Sequence, residues 1–194
     1  ACILMIITCF IKCSTKEEPE QSSYGFISYS LKWEQALSGH ESPKKVRYCF
    51  YPLEQGAMTQ IEGDADGLKF TLPPDKYRLL VFNCDADNIA FRNMNTFETA
   101  EAYIPATKAT GYTTSGRIPF YGIAIDELEV EANEGISNTR EFSMASLIRE
   151  VTIDIKVDGM EYIKECKGEL AGVPAAFNLS NQEIAPEKTT KVNF

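Results

Sequence analysis

Histidine is nearly missing from this chain of 194 residues: His40 is the only one. A serine or cysteine nucleophile activated by imidazole needs a histidine, and a histidine-rich metal site needs several. His40 stands between Gly39 and Glu41 in a turn-like stretch, where solvent exposure is expected. Basic charge is also short, with 19 Lys and Arg against 28 Asp and Glu and a net charge of −9. Lys and Arg must displace counterions from phosphates for non-specific nucleic-acid binding, so no nucleic-acid partner is expected. No two cysteines stand at a C-x-x-C spacing. The Gly-rich run Gly111-Tyr112-Thr113-Thr114-Ser115-Gly116 lacks the Lys of a phosphate loop. Asp64-Ala65-Asp66 and Asp85-Ala86-Asp87 offer oxygens for calcium, but Leu68 and Asp75 stand where an EF-type loop needs an oxygen ligand and a Glu. Solvated turns explain these acids better. No motif singles out a carboxylate pair for glycoside hydrolysis, and Asn178-Leu179-Ser180 reads as a chance match to a glycosylation acceptor. The expectation is a non-enzyme with no catalytic residue, no cofactor and no metal.

What is present divides by region. The composition is 44% hydrophobic, enough for a sizeable core and unlike a disordered chain. Six cysteines fall into two sets: Cys2, Cys9 and Cys13 in the apolar start, and Cys49, Cys84 and Cys166 in the body. Three body cysteines cannot all pair. Small buried hydrophobes are the expected role, with one disulfide left open.

Residues 1–13, ACILMIITCFIKC, are apolar with a single charge, Lys12. They are too short for a membrane-spanning helix of about 20 residues. They suit the apolar core of an export signal, and without an initial Met the charged beginning of that signal is expected to be missing. Residues 14–23, STKEEPEQSS, hold no aliphatic side chain and read as a solvated tether.

From Tyr24 the apolar period is mostly two. Lys45-Val46-Arg47-Tyr48-Cys49-Phe50-Tyr51 alternates, which suits a strand with one buried face, and pairing should stop near Pro52. Met58 to Ile61 and Leu68 to Leu72 read as strands separated by a turn at 63–67. Leu79-Leu80-Val81-Phe82 is apolar on both sides, as in a central strand covered on both faces. Residues 85–118 read as long loops with a short strand near Ala102-Tyr103-Ile104. Phe120 to Ile125 and Leu128 to Glu131 suggest a strand or a bent pair. Val151, Ile153, Ile155 and Val157 alternate with Thr152, Asp154 and Lys156 in the cleanest strand pattern of the chain, before the turn signal Asp158-Gly159. Residues 160–170 leave helix and strand open. Gly172 to Leu179 reads as a last strand. Short strands spaced by turns make the fold class all-β, a sandwich. The expected organisation is a signal remnant at 1–13, a tether at 14–23, a β-sandwich domain at 24–181, and a linker at 182–194 that opens a second, truncated domain at Val192-Asn193-Phe194.

An apolar run, a Cys and a polar tether resemble the start of a bacterial lipoprotein. In that class the thiol is diacylated and the signal is cut before the Cys, and two or more lipid chains give stable anchoring. Cys13 is the better candidate for lipidation. Lys16-Glu17-Glu18 after it resembles the surface-export signal of Bacteroidetes lipoproteins, although Lys12 departs from the small residue usual before the Cys. Cys9, after Ile6-Ile7-Thr8, is the rival. The body resembles the fimbrillin-associated anchor and accessory lipoproteins of Bacteroidales. The supports are Trp33, residues 46–52 (VRYCFYP), residues 72–83 (LPPDKYRLLVFN), residues 147–151 (LIREV), residues 168–173 (GELAGV) and Asn178-Leu179. This resemblance implies a transthyretin-like antiparallel β-sandwich, commonly followed by a second one. It also implies a lipid-anchored outer-membrane protein facing the cell exterior, at the base or along the shaft of a fimbria. An open sheet edge can take a strand donated by a neighbouring fimbrial subunit, and that joint needs no catalytic group. The alternative reading is a surface module that binds glycan or host protein through the aromatic and Asn-rich loops around residues 85–121.

Overall fold

Alternating side chains need two environments, and the fold supplies them as two packed sheets. The structure, a computed structural model, describes residues 24–33, 40–105, 118–148, 154, 156, 158, 163–165, 167–184 and 189–193. In chain order the strands are β1 (Gly25–Trp33), β2 (Lys45–Pro52), β3 (Thr59–Asp64), β4 (Gly67–Leu72), β5 (Asp75–Asn83), β6 (Ala90–Arg92), β7 (Glu101–Tyr103), β8 (Tyr121–Val130), β9 (Asn133–Ser146), β10 (Glu169–Pro174), β11 (Ala176–Asn178) and β12 (Thr189–Asn193). A single 3₁₀ turn, Phe97–Thr99, is the only helical element among the described residues.

Seven strands form a ring in the order β1-β4-β3-β2-β5-β8-β9. The ring is a sandwich pinched at two corners. β4, β1 and β9 make one long ladder, and β3, β2, β5 and β8 make the other. β3 meets β4 only at Asp64↔Gly67, and β8 meets β9 only at Tyr121↔Ser146 and Gly122↔Ala145. Trp33 braces these corners: its Nε1 donates to the Ala65 carbonyl at 2.9 Å, and its ring stands edge-on to Tyr121 at 5.4 Å. At the first corner the chain passes so close to β1 that a Cβ on Gly67, at φ +147°, would lie 1.9 Å from the Tyr29 carbonyl oxygen.

One expectation is corrected here. The sandwich is not wholly antiparallel, because β1 and β9 pair in parallel. A parallel pair needs a long crossover, and the whole of β2 to β8 provides it.

The core between the sheets takes Ile27 and Tyr29 from β1, Val46, Tyr48 and Phe50 from β2, Leu79 and Val81 from β5, and Phe142 and Met144 from β9. Burying an aliphatic or aromatic side chain contributes about 1.5–3 kcal/mol. Two hydroxyls enter this core without a hydrogen-bond partner, those of Tyr29 and Tyr48. Burial pushes the Tyr29 phenol up to about 12, and it raises Tyr48 as well.

β2 has two buried faces, not the single one expected. Cys49 and Tyr51 on its far side join Leu80, Phe82, Ala86, Phe97, Ala102, Phe120 and Leu179 in a second apolar cluster. The three-stranded sheet β11-β7-β6 and the 3₁₀ turn supply the cover. β5 is thus covered on both faces, as its two-sided apolar run indicates. The loop reading of 85–118 found β7 but missed β6. Gly172 to Leu179 is not one strand: β10 and β11 are separated at Ala175, with Gly172 at φ +77° where the β10–β12 register shifts. β8 is one bent strand, in which Asp126 and Glu127 together oppose Arg78. Leu147 and Ile148 lie outside any strand, as do Asp154 and Lys156. Val151, Ile153, Ile155 and Val157 lie outside the described residues.

Candidate functional site

Asp85 and Asp87, two of the acids singled out in the sequence, are used structurally, while Asp64 and Asp66 are exposed at the β3–β4 turn. Asp85 accepts from the backbone N–H of Lys44 at 2.7 Å and of Lys45 at 3.1 Å, and from Asn83 Nδ2 at 3.2 Å. Asp87 accepts from the N–H of Ile118 at 3.2 Å. These carboxylates clamp the entry to β2 and the approach to β8. Asn83, fully buried, completes the clamp: it accepts from Tyr121 N–H at 2.7 Å and donates to Pro119 O at 2.9 Å. Asn138 does the same at the other end of the sandwich, donating to Glu131 O at 2.9 Å and accepting from its N–H at 3.2 Å. No signal in the sequence marked these two amides, since Asn is ordinary in loops and its burial is decided by neighbours distant in sequence.

Among the described residues no group of three or more His, Cys, Asp or Glu is placed to hold a metal ion. His40 is half-buried rather than exposed. Cys49 and Cys84 are free thiols. The register explains why: Cys49 faces Leu80, while the Cys84 N–H donates to the carbonyl of Lys45, four positions earlier in β2. Four residues of strand are about 13 Å, and a disulfide needs Cα atoms within about 7 Å. Burial pushes the Cys49 thiol up to about 12, so it is inert. Cys9, Cys13 and Cys166 lie outside the described residues.

Of the loops expected to face a ligand around 85–121, the described aromatic side chains Phe91, Phe97, Phe120 and Tyr121 turn inward, Asn93, Asn95 and Thr96 are exposed, and residues 106–117 lie outside the described residues. Phe97, Phe120 and Tyr121 are buried, and Phe91 packs against Phe82 at 4.5 Å and Phe120 at 5.9 Å. Phe91, Phe97 and Phe120 make part of the second apolar cluster because the outer face of β2 and β5 is itself apolar and must be covered, while Tyr121 joins the core between the sheets.

Two concave features among the described residues bear on function. The larger is an open groove of about 780 Å³ between β7, β10, β11 and the β8–β9 corner, with Ala102, Phe120 and Val173 among its walls. Its lining is mainly apolar, and three exposed side chains belong to it: Ile148 (37%), Leu170 (39%) and Ile184 (54%). Water-exposed aliphatic side chains gathered on one groove point to a protein contact. The smaller is a polar cleft of about 370 Å³ beside Arg78, between the end of β2 and the loop at 95–98.

Comparisons with known proteins agree with this picture. A Bacteroides ovatus protein described as a proposed fimbrium anchoring subunit, Fim4B, is 23% identical over an alignment of 167 residues that covers 83% of this chain and 49% of that protein. The chain therefore spans about half the length of this curated relative. Two solved structures of proposed adhesins from Bacteroides ovatus share the fold. One has a TM-score of 0.69 at 19% identity, covering 98% of this chain and 71% of its own; the other has 0.58 at 11%, covering 87% and 61%. A third structure, from Bacteroides thetaiotaomicron and described as proposed polysaccharide-binding proteins, has a TM-score of 0.55 at 10% identity, covering 88% and 71%. Residues 20–194 match the model of the family described as Domain of unknown function (DUF5119), and the chain belongs to that family.

Proposed function

We propose that this chain is a surface-anchored fimbrial anchor or accessory subunit, structural and adhesive rather than catalytic. The observation that carries the reading is the apolar groove rimmed by Ile148, Leu170 and Ile184 on a scaffold in which Asp85 and Asp87 are spent on holding loops. The homology to a protein named for fimbrium anchoring supports it. On this reading the sandwich is transthyretin-like, and the groove beside β10 and β11 receives an extended segment donated by a neighbouring fimbrial subunit. Backbone pairing would give affinity and the apolar walls would take alternate side chains.

The rest of the reading concerns the N-terminus and the domain plan. Residues 1–13 are the signal remnant, residues 14–23 the tether, and residues 24–181 the sandwich domain. Residues 182–194 lead into a second domain; within them β12 pairs back onto β10. Cys13 carries the lipid, and the protein sits in the bacterial outer membrane facing outward. Recovery of the native protein from membranes with its fimbrial subunits, and loss of those subunits in a Leu170→Asp/Ile184→Asp double variant that still folds, is the expected result. A native preparation that captures no fimbrial subunit sinks the anchor reading. Mass spectrometry of the N-terminal peptide tests the lipid separately: a diacyl or triacyl adduct on Cys13 is expected, and an unmodified start retaining residues 1–12 overturns it.

A further inference from the structure

The polar cleft of about 370 Å³ is built where the second apolar layer ends. Pro52, Leu53 and Met58 form one wall, Asn95 to Glu98 the other, and Arg78 lies between them. Both walls are fixed. Tyr51 Oη donates to Met94 O at 2.9 Å, Thr99 Oγ1 donates to Asn93 O at 3.0 Å, and Asn178 Nδ2 donates to Glu98 O at 2.7 Å. Opposite, the N–H of Leu53 donates to Lys76 O at 2.8 Å. A cleft held in this way loses little entropy on taking a ligand.

Its polar groups retain bonding capacity. The Arg78 guanidinium lies 5.4 Å from the centre of the Phe97 ring and pairs with the Glu98 carboxylate, and both partners remain part-exposed. Asn95 is exposed, and its carboxamide bonds to no described residue. These groups together offer donors and acceptors on one small, charge-balanced surface.

We infer that this cleft binds a single neutral sugar unit of a glycan. The Arg78–Glu98 pair cancels its own charge, so an anion gains from one partner and loses to the other, and a cation does the reverse. A hydroxyl both donates and accepts, which matches guanidinium, carboxylate and amide at once. Pro52, Leu53 and Met58 supply apolar contact for a sugar's C–H face. Tyr51 and Phe97 are buried, 6% and 5% exposed, so no ring is offered for stacking. Binding is accordingly weak, and the volume, at the small end for ligand pockets, admits one ring rather than a chain. The cleft shares no lining residue with the apolar groove, so this inference stands apart from the anchor reading.

The test is an amide NMR titration of the ¹⁵N-labelled chain with methyl glycosides of glucose, galactose, mannose and N-acetylglucosamine, beside glucuronate and glucosamine. One neutral glycoside is expected to move the amides of residues 51–58 and 95–98 with a millimolar Kd. Asn95→Ala and Glu98→Gln should each weaken it by about fivefold or more, the loss of one hydrogen bond, while the spectrum reports an intact fold. The inference is overturned if no neutral glycoside moves those amides. It is overturned equally if glucuronate or glucosamine binds more tightly than every neutral sugar, or if Asn95→Ala leaves the Kd unchanged.

Discussion

Outward from β2 and β5 point Cys49, Tyr51, Leu80 and Phe82. Outward from β1 and β9 point Phe26, Ser28, Ser30 and Lys32, then Thr139, Glu141 and Ser143. Both rows stand on the back of the same core. The first is covered by β6, β7, β11 and the 3₁₀ turn; no described strand covers the second. Apolar area drives burial at about 25 cal/mol per Å², so the first face gathers the short elements β6, β7, β11 and the 3₁₀ turn, and among the described residues the second gathers none. The asymmetry teaches where function has room. The covered face spends its neighbours on cover, and the groove and the cleft both form at the margins of that cover.

Truncating one outward side chain on each face gives the largest test of this contrast. Phe82→Ala, which strips contacts with Phe91 and Phe120, should cost about 3–5 kcal/mol in urea unfolding. Ser30→Ala on the polar outer face of β1 should stay within about 0.5 kcal/mol. Equal costs would mean the bare face is covered in solution. Asn83→Ala comes next, since it leaves Tyr121 N–H and Pro119 O without their partner inside the clamp. A loss of about 1–3 kcal/mol is expected, and a loss near zero would show that water replaces the amide.

Alkaline titration sharpens the comparison further. Burial holds Tyr29 in the core near 12 against an ordinary value of 10. The unfolded chain therefore releases that proton first. Stability is full below pH 10 and falls as pH rises from about 10 to 12. Tyrosinate absorbance should show the buried Tyr29 and Tyr48 phenols ionising only with unfolding. A single smooth titration of all tyrosines would contradict the sealed core. The smallest effect belongs to the bare face: the Lys32–Glu141 pair spans exposed side chains at 2.7 Å. Lys32→Ala should cost between zero and about 1 kcal/mol, vanishing in high salt.

The same contrast decides how much the sequence revealed. β5 was legible because a strand buried on both faces must be apolar at every position, and Leu79 to Phe82 are. β2 was located, but alternation alone did not tell which of its faces meets the other sheet and which meets a second layer. β9 passed unnoticed although it is the longest strand, Asn133–Ser146. Its outward positions 139, 141 and 143 are polar because that face is bare. Among its inward positions Asn138 and Arg140 are polar too, since one serves as a clamp and the other sits at the open edge beyond the β8–β9 corner. Only one wall of the cleft, Asn95 to Glu98, falls within the loops singled out at 85–121, and the rest of both sites could not be read in advance. The groove and the cleft join segments up to about a hundred residues apart, and their residue types, taken singly, are unremarkable.

Trp33 is the chain's only tryptophan, and the fold has set it between the two pinched corners. Its indole thus makes the protein its own optical gauge. Tyr121, at 5.4 Å, is close enough to pass excitation to it, and the hydrogen bond to Ala65 O tunes its emission colour. A partner strand or a shear force that spreads the sandwich must part this trio, and would announce itself as a red-shifted, dimmer glow without any dye attached.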